Sequence, residues 1–347
     1  MERRFFFGSY NVAVAHGARL VNASGLRFMD GVDPERKERG ELPRVVAAAF
    51  REILEERGPV FLDLRHVDDS YWTDLENIKG KRHVSWLLSG ELPDPKTTPI
   101  AIEPVWFMFN VANSGLQIDL ACHTNVPGLY AAGAAAKNTA CGTHSSAGIP
   151  TAFCFTSGFR AGEAAAAEAA RLPPPSVDPA LVERLRQQTY APLLRRGGTA
   201  PDAIHDELAR IQGSSLDAMV YGEMSLCEKL RQLDALEPRL RRVRATDWHD
   251  LVKAHEAEGA FVSSRLVYLS ALDRTESREQ FYREDYPETD DAEWFCWHVA
   301  QRTAAGTEFS REPVALESYA LQPPKRTKRL SPVGAIMRGG YDPADYD

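Results

Sequence analysis

No apolar run in the 347-residue sequence is long enough to span a bilayer. The opening Met1-Glu2-Arg3-Arg4-Phe5-Phe6-Phe7 lacks the apolar core and cleavage site of a signal peptide. Cysteine is scarce and unpaired in pattern. Cys122, Cys141, Cys154, Cys227 and Cys296 are odd in number and form no Cys-x-x-Cys, which argues against a disulfide framework or a zinc site. Reduced thiols of this kind fit a cytoplasmic protein. Positive charge is also lacking: the formal net charge is −8, and the basic run Lys325-Arg326-Thr327-Lys328-Arg329 is too short to reverse it. Nucleic acid is therefore not an expected partner. Gly-x-Gly-x-x-Gly, the turn that seats a dinucleotide pyrophosphate, occurs nowhere.

What remains is a globular composition, 44% hydrophobic, long enough for two to three domains. Residues 18–29 read as two short strands around the turn Asn22-Ala23-Ser24-Gly25. A charged loop over 33–41 follows. Residues 43–57 then predict a helix with Val46, Phe50, Ile53 and Leu54 on one stripe and Gly58 as its stop. Residues 59–64 read as a buried strand. Pro173-Pro174-Pro175 marks a linker, and Leu181, Leu185, Leu226, Leu230 and Leu233 repeat at the spacing of bundled helices. A further helix over 250–274 carries Ala254, Ala257, Phe261, Tyr268 and Leu272 on one face. His249 and His255, six residues apart, do not have metal-ligand spacing and read as solvated.

The most informative stretch is 127–162. Val126-Pro127-Gly128-Leu129-Tyr130-Ala131-Ala132-Gly133 reads as a turn and a short buried strand ending in glycine. After a loop, Gly148-Ile149-Pro150 opens an alanine-rich helix, with proline where its missing N–H is harmless. A strand, a small-residue loop and a free helix N-terminus bring backbone N–H groups to one place, suited to an electron-rich ligand.

This order and spacing resemble the last FAD-binding segment of the fumarate reductase/succinate dehydrogenase flavoproteins. The segment Glu276-Ser277-Arg278 through Arg283 to Asp290-Asp291-Ala292-Glu293-Trp294 is similar to that family's C-terminal signature. Residues 18–64 resemble its capping domain. The Ser145-Ser146 loop and Trp294-Phe295-Cys296-Trp297 are closer to the adenylylsulfate-reductase branch than to the succinate branch. The fold implied is α+β and α/β: a capping domain over 1–100, the closing segment of a FAD-binding domain over 101–172, a helical domain over 173–311, and a tail over 312–347. Because the dinucleotide turn is missing, the resemblance implies part of a larger or split flavoprotein, with a protein partner supplying that half or accepting electrons.

The resemblance also assigns residues. Gly133, Ala134, Gly148, Thr151 and Ala152 fall at cofactor-binding positions, with Ala134 replacing an acidic residue that contacts the ribityl chain. Arg44, in Leu42-Pro43-Arg44-Val45-Val46, falls at the position of the proton donor; from its own surroundings it reads equally as a first-turn surface arginine. His144 could act as acid or base, or simply bond loop backbone. Asn110 and Ser145 stand where the family clamps a dicarboxylate with histidine and arginine. A neutral amide and a hydroxyl cannot replace those cations, so succinate and fumarate are not the expected substrates. Two functions stay open: a FAD-dependent oxidoreductase acting on another small molecule, and a non-catalytic scaffold that has lost the flavin site. Arg278 and Arg283 read as structural, paired with Asp290 or Asp291, and His123 as a turn residue.

Overall fold

Asn22 decides how the first strand ends. Its buried side-chain Oδ1 accepts from the N–H of Ser24 (3.1 Å) and of Leu26 (3.0 Å), an Asx-type turn that bends the chain away. The expected second strand after the turn therefore does not form. Instead β1 (Arg19–Val21) pairs antiparallel with a distant segment. The computed structural model describes residues 10–79, 94–104, 114–137, 149–174, 176–278, 281–320 and 328–346.

Helix α1 (Tyr10–Ala15) leads into β1. Helix α2 (Leu42–Leu54) begins with Pro43 in its first turn and carries buried residues on nearly every side, from Val45 to Phe50. Strand β2 (Val60–Asp63), helix α3 (Ser70–Lys79) and strand β3 (Ile100–Ile102) follow, and β1, β2 and β3 form one antiparallel sheet in that order. Phe50, Leu62, Tyr71 and Leu75 are fully buried in the core beside this sheet. The buried Glu38 joins the strand to the charged loop, accepting from the Leu20 N–H (2.9 Å) and pairing with Arg27.

Residues 114–137 form no strand; they turn repeatedly through isolated bridges, Leu116 with Ala136 and His123 with Tyr130. Helix α4 (Ile149–Ala169) follows. Helices α5 (Pro179–Leu194) and α6 (Pro201–Gln212) lead to β4 (Val220–Tyr221), α7 (Glu223–Leu240) and α8 (Trp248–Asp273). Helices α6, α7 and α8 enclose a second core of Ile204, Leu226, Leu233, Ala257 and Phe261. Leu226 and Leu233 occupy the interior that their spacing implied, whereas Leu181 and Leu185 of α5 are exposed.

Strand β5 (Tyr282–Arg283) pairs parallel with β4, and the hairpin of β7 (Cys296–Thr303) and β8 (Gly306–Pro313) extends from the helical unit; between them lies β6 (Glu288–Thr289). β6 pairs with β9 (Arg329–Leu330). Helix α9 (Pro332–Arg338), capped by the Ser331 hydroxyl, then returns to lie on α2, burying Val333, Ile336 and Met337 in the first core. Residues near 335 thus complete the unit begun near residue 13.

Candidate functional site

Two regions hold sequence-assigned residues. The first is the junction between the 114–137 segment and α4. Gly133 adopts φ +59°, and a Cβ there would lie 3.2 Å from Cys154 Sγ, so glycine lets the turn close against the helix. Its N–H donates to the buried Ser157 hydroxyl (2.9 Å), which itself donates to the Phe153 carbonyl (2.5 Å). Cys122 Sγ meets the Ser157 carbonyl, and Tyr130 donates to Glu168. Helix α4 is thereby fixed to this segment both around residues 153–157 and, through Glu168, near its other end. Ala134 is exposed beside it, as are Thr151 and Ala152 in the first turn of α4, where N–H groups lack an intrahelical acceptor. Pro150 supplies no N–H. The Gly133 N–H is taken up by Ser157, so the open donors at this junction are first-turn backbone N–H groups of α4, of the kind that can meet the carbonyl-bearing edge of a flavin.

The second region is Arg44, in the first turn of α2. It is 8% exposed, not a surface residue. Nη1 donates to the Tyr341 hydroxyl (2.8 Å), and the guanidinium lies 5.7 Å from that ring's centre. Nε is buried, 3.4 Å from Glu41 Oε2, yet makes no hydrogen bond among the described residues. Nothing in the sequence indicated that Tyr341, 297 positions away, would meet it.

Asn110, His144, Ser145 and Gly148 lie outside the described residues. His123 hydrogen-bonds Asp119 across a tight turn and packs on Tyr130. His255 bonds the Thr189 carbonyl (3.0 Å), tying α8 to α5. Arg278 pairs with Asp291 (2.7 Å) and with the fully buried Glu276. Arg283 pairs with Asp285 instead, and its Nη1 donates to the carbonyls of Ala271, Leu272 and Arg274 at the end of α8. Among the described residues no group of His, Cys, Asp or Glu could hold a metal ion, and no helix is long and apolar enough to cross a membrane.

Residues 12–151 match the family model of a FAD binding domain, and residues 214–328 that of the fumarate reductase flavoprotein C-terminus. A fumarate reductase (CoM/CoB) chain from Methanothermobacter marburgensis is 31% identical over 285 residues, 79% of this chain and 49% of that protein. An L-aspartate oxidase from Streptomyces coelicolor is 28% identical over 289 residues, 80% of this chain and 46% of that one. The chain spans about half the length of these curated relatives. Among solved structures, E. coli quinol fumarate reductase matches with a TM-score of 0.75 at 23% identity, over 92% of this chain and 58% of that chain. Adenylylsulfate reductase from Archaeoglobus fulgidus matches with 0.61 at 19% identity, over 88% and 56%. The two matched segments and the fold are those of the fumarate reductase/succinate dehydrogenase flavoproteins, and the matched FAD binding domain indicates FAD as the cofactor.

Proposed function

We propose that this chain forms the capping and helical part of a FAD-dependent oxidoreductase whose substrate is neither succinate nor fumarate. The observation that carries the reading is the junction of the Gly133 turn with the start of α4. Bound FAD supplies hydride or electron transfer at its N5. Around it, Gly133, Ala134, Gly148, Thr151 and Ala152 orient the ring through backbone contacts. Arg44 holds the proton for transfer on its guanidinium, and His144 is the second acid–base group. Asn110 and Ser145 at the clamp positions support a substrate without two carboxylates.

A dinucleotide-binding half, on the same polypeptide or another, completes the cofactor site. The outer face of α4 supports this, because Phe155 and Phe159 are 77% and 68% exposed there. The test is reconstitution. The chain of these 347 residues should take up FAD weakly, yield yellow protein when joined to a half carrying Gly-x-Gly-x-x-Gly, and then show negligible turnover of succinate or fumarate. Tight stoichiometric FAD in the chain alone would refute the division, and ordinary succinate oxidation would refute the substrate assignment.

A further inference from the structure

The C-terminal segment brings a second cation beside Arg44. A cavity of about 160 Å³ lies between α2 and the segment 329–346, lined by Glu41, Pro43, Arg44, Arg329, Val333 and Tyr346 among others. One water needs roughly 10–15 Å³ on this measure, so a group of several heavy atoms fits. The walls are held by a run of aromatic and cationic contacts. Arg44 donates to Tyr341, Tyr341 stacks on Tyr346 with ring centres 5.5 Å apart, and the Arg329 guanidinium lies 5.5 Å from the centre of the Tyr346 ring. Tyr346 in turn donates to the Leu330 carbonyl (3.2 Å). Arg44 and Arg329 thus both line one small volume.

The lining carries two guanidinium groups and one carboxylate. Arg44, nine-tenths buried, keeps an Nε without a hydrogen bond among the described residues, and a buried charged donor in that state is costly until an acceptor meets it. Glu41 does not meet it well: its Oε2 stands 3.4 Å away without hydrogen-bonding geometry, on a side chain that is 52% exposed.

We propose that this cavity binds a small anion, a single carboxylate or oxyanion, between Arg44 and Arg329. Calling that anion a substrate's acidic group rests on the oxidoreductase reading above; the binding itself does not. The C-terminal segment would then supply a positive charge to replace the clamp that Asn110 and Ser145 do not provide. Of the two lining cations, Arg329 is exposed and Arg44 is buried. Glu41 competes with the ligand for Arg44.

Titration of the full chain with sodium acetate and with inorganic phosphate, against chloride at equal ionic strength, tests this by calorimetry. Saturable binding is expected. Arg329→Gln should weaken it about tenfold, as the loss of one charge-assisted contact does. Glu41→Gln should tighten it, with thermal melts confirming that both variants fold. Binding of acetate alone would name a carboxylate; binding of phosphate as well would name oxyanions generally. Absence of saturable binding, or identical affinity in all three proteins, would overturn the proposal. Because no flavin or turnover enters the measurement, its failure leaves the oxidoreductase reading intact, and the reverse also holds.

Discussion

At the residue scale, the charged side chains that resemble family positions divide into those that build the fold and those that face space. Arg283 is 1% exposed and ends α8 by meeting its last carbonyls, the groups a helix leaves unpaired. Its sequence context showed an ion pair, but not that the partner would be Asp285 in place of Asp290 or Asp291. Substituting Arg283→Ala leaves Asp285 and those carbonyls without this partner. We expect a loss of about 3–5 kcal/mol in urea unfolding, the usual cost of breaking a buried pair. His298 gives a pH-dependent counterpart. Burial lowers its pKa against the opposing pull of Asp273 (2.9 Å), and its ring stacks on Phe309. Because the folded protein binds this proton less readily than the unfolded chain, stability is present above the ordinary histidine pKa, near 6.5, and falls as pH drops below it. Melting temperatures of the parent and of His298→Gln between pH 7.5 and pH 5 check this; the variant should show a shallower decline.

At the element scale, helices with a local pattern were legible and pairings between distant segments were not. The helix expected over 43–57 forms as α2, and the face of Ala254, Ala257, Phe261 and Tyr268 is buried in α8 as expected. Periodicity is a property of neighbouring residues, so it can be read along the chain. The pairing of β1 with β2, of β4 with β5 and of β6 with β9 depends on residues tens of positions apart, and those strands are too short to show alternation. The short strand expected to end at Gly133 is a single bridge at Tyr130, because side-chain and turn hydrogen bonds take up the backbone there. Helix α9 is the largest surprise. No apolar stripe in Val333-Gly334-Ala335-Ile336-Met337 announces a partner, yet Ile336 is fully buried against α2. Ile336→Ala should therefore cost about 2–5 kcal/mol, as core truncations do. The loss should appear in a probe of the first core, such as hydrogen exchange of α2 and β2, and leave the amides of α7 and α8 unchanged.

At the scale of the whole molecule, the two cores differ in how completely they are closed. The core of α6, α7 and α8 is built from residues between Ile204 and Phe281, all contributed by one stretch of chain. The first core draws on residues far apart in the sequence, from Ala13 to Met337. Helix α4 belongs to neither. It touches the Gly133 turn through Ser157 and Cys154, while Phe155 and Phe159 face outward. Its alanine-rich composition and Gly158 and Gly162 give a surface that another element can approach closely, and the absence of the dinucleotide turn from the sequence already led to the expectation that its cover lies elsewhere. Single exposed apolar residues are ordinary on a monomer, but two aromatic rings one turn apart on a helix of 21 residues form a patch. The chain alone should consequently self-associate through α4. Size-exclusion chromatography coupled to light scattering should give species larger than 38.6 kDa, and the double variant Phe155→Glu/Phe159→Glu should run as a monomer. The same variant should fail to combine with a dinucleotide-binding half, because the charges would be buried against its apolar surface. A parent protein that is already monodisperse and monomeric would show that α4 needs no cover, and would remove the main structural reason for expecting a complementary half.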